Sequence, residues 1–280
     1  MLNHRNTLLC VFSFNMGRTL GTCLESTFSN CSGFPVVLMD DNSTDETTLA
    51  VIEEYRSRFL RVFVSKEPKG GRRHGNLYSN IQRMCAFAGE NGYDYLFMIQ
   101  DDMQFVRPMD EAVCEEYAGL FRRPDVLQVD PRFLRRGAEY DILEDLRAYC
   151  FPPTDDRRSY ADVGILNLSI IRDIGWRFLD SERANKEALT ALGYRRPFPF
   201  TPIVMHVPFP KTYRKGRARW SLFPFNRGRY QFHSMTAEER AAMDSRDLAV
   251  IPYFRDFLRP KNMLVSRLYY SLRRDGAVFR

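Results

Sequence analysis

The chain has 280 residues, 44% of them apolar and 27% charged, which gives room for one large α/β domain with a tail, or at most two small domains. No stretch approaches the length of a membrane span. No basic region followed by a long apolar one opens the chain, and none of the six cysteines pairs at C-x-x-C spacing, so neither a membrane span, a secretory leader nor a zinc site is expected.

Thr7 to Phe14 (TLLCVFSF) is an apolar run rich in strand formers, and Leu20, Leu24 and Phe28 follow at helical spacing. Pro35 to Met39 reads as a second buried strand. Ser43-Thr44-Asp45-Glu46 has the pattern of a capping box, with Ser43 as cap, and opens a helix with Leu49, Ile52, Tyr55 and Phe59 on one face. Leu60 to Val64 is a third strand, followed by a Gly-rich basic turn from Lys69 to Gly75 and a helix carrying Leu77, Ile81, Met84 and Ala88. Tyr93 to Ile99 is a fourth strand that stops at Gln100-Asp101-Asp102, and Pro108 suits the first position of the next helix, which runs to about Arg122.

Four alternations of strand and helix predict a mostly parallel sheet with helices on both faces and right-handed crossovers. Beyond them, Val126 to Val129 and Val163 to Ile171 read as strands, Ser181 to Leu192 as a helix closed by Gly193, and Phe198 to Val207 as extended. From Thr236 the chain reads as helical segments broken by Pro252 and Pro260. The expected organisation is a domain over 1–235, with a nucleotide-binding half at 1–110 and an acceptor-side half at 111–235, and a helical C-terminal extension at 236–280.

The net charge of +6 is unevenly spread: Arg195 to Arg229 holds nine Lys or Arg and no Asp or Glu. Such a stretch attracts phosphate, nucleic acid or an anionic membrane. Several cysteines sit in apolar runs, where the reduced thiol acts as a small hydrophobe. The expected setting is reducing and cytoplasmic, with at most peripheral contact at the inner face of a membrane. The segment from Pro260 mixes Leu264, Leu268 and Leu272 with Arg267, Arg273 and Arg274; it suits an interfacial amphipathic helix and packing on the domain or a second subunit equally.

Open α/β sheets bind ligands at the carboxyl ends of their strands. Here strand one ends at Ser13-Phe14-Asn15, strand two at Asp40-Asp41-Asn42 and strand four at Asp101-Asp102. Carboxylates gathered at one crevice repel one another and raise each other's pKa values, which a divalent cation relieves. A turn and helix cap account for part of the first acidic cluster. Two carboxylates closing a buried strand point instead to oxygen ligands for Mn2+ or Mg2+, the usual grip on a substrate diphosphate. Nucleic-acid binding suits the basic stretch, yet it gives no reason for two acidic strand ends.

VLMDDNSTDET (Val37 to Thr47) resembles the signature of the family 2 glycosyltransferases, which have the GT-A fold. The turn Phe12-Ser13-Phe14-Asn15 is similar to the family's Pro-Thr-Tyr-Asn-like turn, and Gln100-Asp101-Asp102 to its Asp-x-Asp metal motif. These matches cover about the first 110 residues, with about sixty residues between the acidic turns. The resemblance implies that Asp41 bonds the uracil of a UDP-sugar, that Phe14 and Asn15 line the donor, that Asp101 lies near the ribose, and that Asp102 binds the metal. Phe14 stands where the family usually has a tyrosine. The resemblance also implies a donor contact from Arg73 and a metal ligand in His206.

The family's catalytic base lies about eleven residues before a Gly-Tyr-Arg-like end. Counting back from Gly193-Tyr194-Arg195 gives Glu182, with Asp180 in reserve. The family base is normally Asp, and Glu reaches one methylene further. Arg219 stands in a poor match to the Gln-x-x-Arg-Trp motif of processive members. The implied reaction is an inverting transfer from a nucleotide-diphosphate sugar to a glycan or lipid-linked acceptor hydroxyl, with Mn2+ or Mg2+ and no nucleic acid. Two rivals stand beside it: a sugar-nucleotide nucleotidyltransferase, and a non-catalytic descendant that binds nucleotide or glycan.

Overall fold

The computed structural model describes residues 2–65, 76–207, 231–259 and 261. Arg73 with most of its basic turn, Arg219 with most of the basic stretch, and all but one residue of the segment from Pro260 lie outside the described residues.

The first half folds as the alternation predicts. In chain order, β1 (Thr7–Ser13), α1 (Gly17–Asn30), β2 (Val36–Asp40), α2 (Glu46–Glu54), β3 (Arg61–Val64), α3 (Leu77–Glu90) and β4 (Tyr95–Gln100) follow one another. The four strands are parallel in the order β3-β2-β1-β4. β1 is buried along its whole length, as a central parallel strand covered on both faces must be. Its side chains alternate between two cores. Leu9 and Val11 pack with Leu20 and Leu24 of α1 and Ile52 of α2. Leu8 and Cys10 pack with Ile81 and Met84 of α3 on the other face.

Short elements complete the fold: β5 (Met103–Phe105), α4 (Glu111–Leu120), β6 (Gln128–Val129), β7 (Asp141–Leu143), β8 (Ala148–Cys150), β9 (Gly164–Asn167), α5 (Leu168–Asp173), α6 (Glu182–Ala191), β10 (Phe198–Pro199), β11 (Val204–His206), α7 (Ala237–Asp244) and α8 (Phe254–Phe257). β9 joins β4 antiparallel, and β6 pairs with β9 at the sheet edge. β10, β8 and β7 form a second sheet, and β11 pairs antiparallel with β5. The result is a mixed α/β fold of GT-A type with a mainly parallel central sheet. Met243 of α7 and Phe254 of α8 pack against Val106, Phe133 and Met205.

Several local expectations need correction. Ser43 is not the cap of α2; Asp45 is, accepting from the Thr48 N–H at 2.8 Å. Leu49 is exposed rather than on the buried face. Pro108 lies before the next helix, which starts at Glu111 behind an Asp110 cap. Val163 to Ile171 is not one strand. Asn167 caps α5 by accepting from Ser169 N–H, and the chain turns helical there. Propensity alone does not show this, because Leu and Ile serve both states and the cap decides.

Two glycines are fixed by contact. A Cβ on Gly164, at φ +117, would lie 2.6 Å from the Val129 carbonyl oxygen, which is how β9 approaches β6. A Cβ on Gly17 would come within 2.5 Å of the Thr47 and Thr48 backbone, where α1 and α2 begin side by side. Gly17→Ala is therefore expected to destabilise the protein by about 1–3 kcal/mol, the scale of forced overpacking. Thermal melting reads this out, and an unchanged midpoint would show that the two helix starts can separate at no cost.

Candidate functional site

Strand register brings the two acidic strand ends to one edge. Ser13 of β1 pairs with Asp40 of β2, and Phe12 pairs with Gln100 of β4. The two acidic turns thus flank the end of β1 on one edge, about 10 Å apart at two strand spacings. Asn15 (φ +52) and Asn42 (φ +57) adopt left-handed backbone there, a conformation Asn tolerates better than most residues.

These turns are tied together. The Asn15 N–H donates to Ser43 Oγ at 2.9 Å, and its side-chain oxygen accepts from the Thr44 and Asp45 N–H groups. Asp40 accepts from both the N–H and the hydroxyl of Ser43. Asn15 and Asp40 therefore shape the turn. Asp41 is buried, accepting from Asn80 Nδ2 at 3.1 Å and from the Asn76 N–H at 3.3 Å. Asn80 and Asn76 escaped the sequence reading, because they come from the start of α3.

On the other flank, the Phe14 N–H donates to Asp101 Oδ2 at 2.8 Å. Burial, then the charge of Asp102, pushes the Asp101 carboxyl well above its usual range, while the Phe14 N–H opposes the shift. Asp102 Oδ1 is buried and meets His206 Nδ1 at 3.4 Å. The β5–β11 pairing brings them together: His206 lies opposite Met103, and the Val207 N–H donates to the Asp102 carbonyl at 2.7 Å.

A buried carboxylate oxygen facing an imidazole fits a hard divalent cation. Burial lowers the pKa of His206, which favours the neutral ring that a metal requires. One contact departs from that arrangement. Arg132 Nη1 lies 2.9 Å from His206 Nε2, and a guanidinium only donates, so Nε2 accepts and the ring proton sits on Nδ1. Nδ1 can bind a metal only after Arg132 lets go and the proton leaves. Arg132 is itself held by buried Asp130, through Nε to Oδ1 at 2.7 Å and Nη2 to Oδ2 at 2.5 Å, and Asp130 also pairs with Arg196. Among the described residues no three His, Cys, Asp or Glu form a group that could hold a metal ion.

The predicted base lies on α6. Ser181 caps it, accepting from the Ala184 N–H at 3.1 Å, and Glu182 is its first residue. Lys186 Nζ contacts Glu182 Oε1 at 2.8 Å, one helical turn on. Asp180 lies on the rim of a cleft of about 620 Å³ shared with Tyr78, Asn80, Gln82, Arg83 and Phe178. A further carboxylate, Asp162, stands close by. Tyr78 donates its hydroxyl to Asp162 Oδ2 at 3.1 Å. Burial first, and the charge of Glu182 second, push Asp162 up to about 7. A lone Asp ahead of a short strand carries no sequence signal, and only tertiary contact reveals it. Burial lowers the pKa of Arg132, while the charges of Glu182, Tyr140, Asp162 and Asp102 oppose that shift.

Residues 9–117 match the family model described as Glycosyl transferase family 2. That segment is similar to glycosyl transferase family 2 over well under half of the chain. It spans β1 to α4 and includes Phe14, Asn15, Asp41, Asp101 and Asp102, while Glu182 and His206 lie beyond it. No curated protein matches the chain. Among solved structures, S. aureus TarS 1-349 in complex with UDP is similar at 16% identity and a TM-score of 0.52, over 73% of this chain and 61% of that one. A mannosyltransferase from Pyrobaculum calidifontis, solved with GDP-Man and Mn2+, is similar at 12% identity and a TM-score of 0.52, over 75% of this chain and 59% of that one. The match thus spans about three-fifths of each of those two chains. Both likenesses concern the fold that carries the family 2 segment. No helix among the described residues is long and apolar enough to cross a membrane, and all six cysteines are free and buried.

Proposed function

We propose that this protein is an inverting glycosyltransferase that moves a sugar from a nucleotide-diphosphate donor to an acceptor hydroxyl. The observation that carries this reading is the buried Asp102 oxygen held against His206, on the strand edge shared with Asp41. Asp102, with His206 once freed from Arg132, would hold Mn2+ or Mg2+. A bound cation neutralises charge on the departing diphosphate.

The chain's own residues do the rest. Asp41 is an acceptor-only group suited to a base N–H, and uridine is the base we assign to it. Phe14 offers a ring beside the turn, and Asp101, fixed by the Phe14 N–H, faces the ribose. Glu182 takes the proton from the attacking hydroxyl, the step an inverting transfer assigns to a single carboxylate. The acceptor is a glycan or a lipid-linked sugar, and contact with an anionic membrane is peripheral. Of the two neighbours, one was solved with UDP and the other with GDP-Man and Mn2+, so the donor base has to be tested.

A thermal-shift series with UDP and GDP, with and without Mn2+, provides that test. A ligand that binds the native state raises the melting point according to its affinity. UDP is expected to stabilise only with metal, and more than GDP. Indifference to both nucleotides would sink the assignment. Among active preparations, Glu182→Gln should lower turnover by about 100-fold or more; full activity would reject Glu182 as the base.

A further inference from the structure

Arg132 reaches His206 because two segments dock backbone to backbone. The Ile203 and Val204 N–H groups donate to the Pro131 carbonyl at 2.9 and 3.2 Å, and the Phe133 N–H donates to the Val204 carbonyl at 3.1 Å. This sets the corner at 130–133 against β11, which ends at His206. Asp130, fully buried, takes most of the guanidinium. Its Oδ1 accepts from Arg132 Nε at 2.7 Å and from the Arg132 backbone N–H at 3.2 Å, and its Oδ2 accepts from Nη2 at 2.5 Å and from Arg196 Nη1. Nη1 is the one guanidinium nitrogen left over, and it lies 2.9 Å from His206 Nε2. On the far side of the same ring, Nδ1 meets Asp102 Oδ1 at 3.4 Å. A single imidazole thus separates a positive charge from the carboxylate proposed to hold the cation.

We propose that Arg132 is a diphosphate-sensing latch: its Nη1 holds His206 away from metal binding until a phosphate oxygen of the donor takes that arm. This rests on the reading of Asp102 and His206 as the metal ligands. While Nη1 donates to Nε2, the neutral ring keeps its proton on Nδ1, the nitrogen that faces Asp102. A protonated nitrogen has no lone pair to give a cation. Once Nη1 leaves, the proton passes from Nδ1 to Nε2 of the same ring, and Nδ1 is open as a ligand. A phosphate oxygen carries charge and an imidazole nitrogen does not, so the guanidinium prefers the phosphate. Nε and Nη2 keep their grip on Asp130 meanwhile, so the charge stays anchored. The consequence is coupling: nucleotide and cation each strengthen the other's binding, and a cation alone meets a blocked ring.

Mn2+ binding by the full chain, followed at one fixed pH through loss of the free-ion EPR signal, reads this out without turnover. Arg132→Lys keeps a cation for Asp130 but has no second arm for His206. A ring latched about nine-tenths of the time binds about tenfold more weakly than a free one. Arg132→Lys should therefore tighten Mn2+ binding without nucleotide by about tenfold, and the further gain that UDP brings should shrink by about the same factor. The effect must run through the imidazole: in a His206→Ala background, Arg132→Lys should leave Mn2+ affinity unchanged, and an equal gain there would overturn the latch. His206→Ala alone gives a reading that needs no Arg132 variant to fold: Mn2+ affinity should hold without UDP and fall with it. If Arg132→Lys leaves Mn2+ affinity the same or weakens it while Asp102→Ala still abolishes binding, the metal site stands and the latch falls. If Asp102→Ala binds Mn2+ and UDP as the parent does, the metal site itself falls, and the latch with it.

Discussion

Asp102→Ala is expected to abolish metal-dependent stabilisation by UDP and to lower sugar transfer by at least about 100-fold. Loss of a residue that merely supports a metal ligand already costs 10–100-fold, and Asp102 is the proposed ligand itself. The observation behind this is specific: Oδ1 is buried and lies 3.4 Å from His206 Nδ1. Removing a repelling carboxylate relieves Asp101, whose carboxyl is pushed up by burial and then by Asp102. The variant should therefore fold at least as well as the parent while losing function. Melting curves with UDP across a Mn2+ series separate the two effects. If Asp102→Ala keeps its UDP-plus-Mn2+ shift, the cation is not held at this position.

Asp130→Ala is expected to be the most destabilising single change in the site, at about 3–5 kcal/mol, because breaking a buried pair leaves uncompensated charge behind. Asp130 is fully buried and holds two guanidiniums, those of Arg132 and Arg196. Burial already lowers the Arg196 pKa to about 9. The loss corresponds to roughly 2–4 °C in melting point per kcal/mol for a chain of this class. The change also frees Arg132, which contacts His206, so stability and metal affinity should shift together. A variant melting within about 1 kcal/mol of the parent would show that water replaces the lost partner.

The fold was readable because its signals are local. Leu8 to Phe12 alternate between two cores, and Leu20, Leu24, Ile81 and Met84 recur at helical spacing. The pattern of each segment therefore announces its burial. Errors fell where one short motif serves two states. Ser43 looked like a cap, yet Asp40 captures its hydroxyl and Asp45 caps the helix. Val163 to Ile171 looked like one strand, yet Asn167 turns the chain helical midway.

The same division runs through the candidate site. Asp41, Asp101 and Asp102 were legible because they close strands, and in a parallel sheet every strand end opens on one edge. Asp162, Tyr78, Arg132 and Asn80 were not legible. Each sits in an ordinary local context and gains its role from a partner distant in sequence: Tyr78 from Asp162, Asn80 from Asp41, Arg132 from His206.

The sequence by itself determined the alternation of strands and helices and the carboxylates at their ends, because hydrophobic period and strand termini are properties of neighbouring residues. Only the tertiary structure decided that Asp102 lies against His206 and that Tyr78 reaches Asp162. It also decided that Arg132 touches His206. Burial and charge act through space, and the chain brings these groups together only after it has folded.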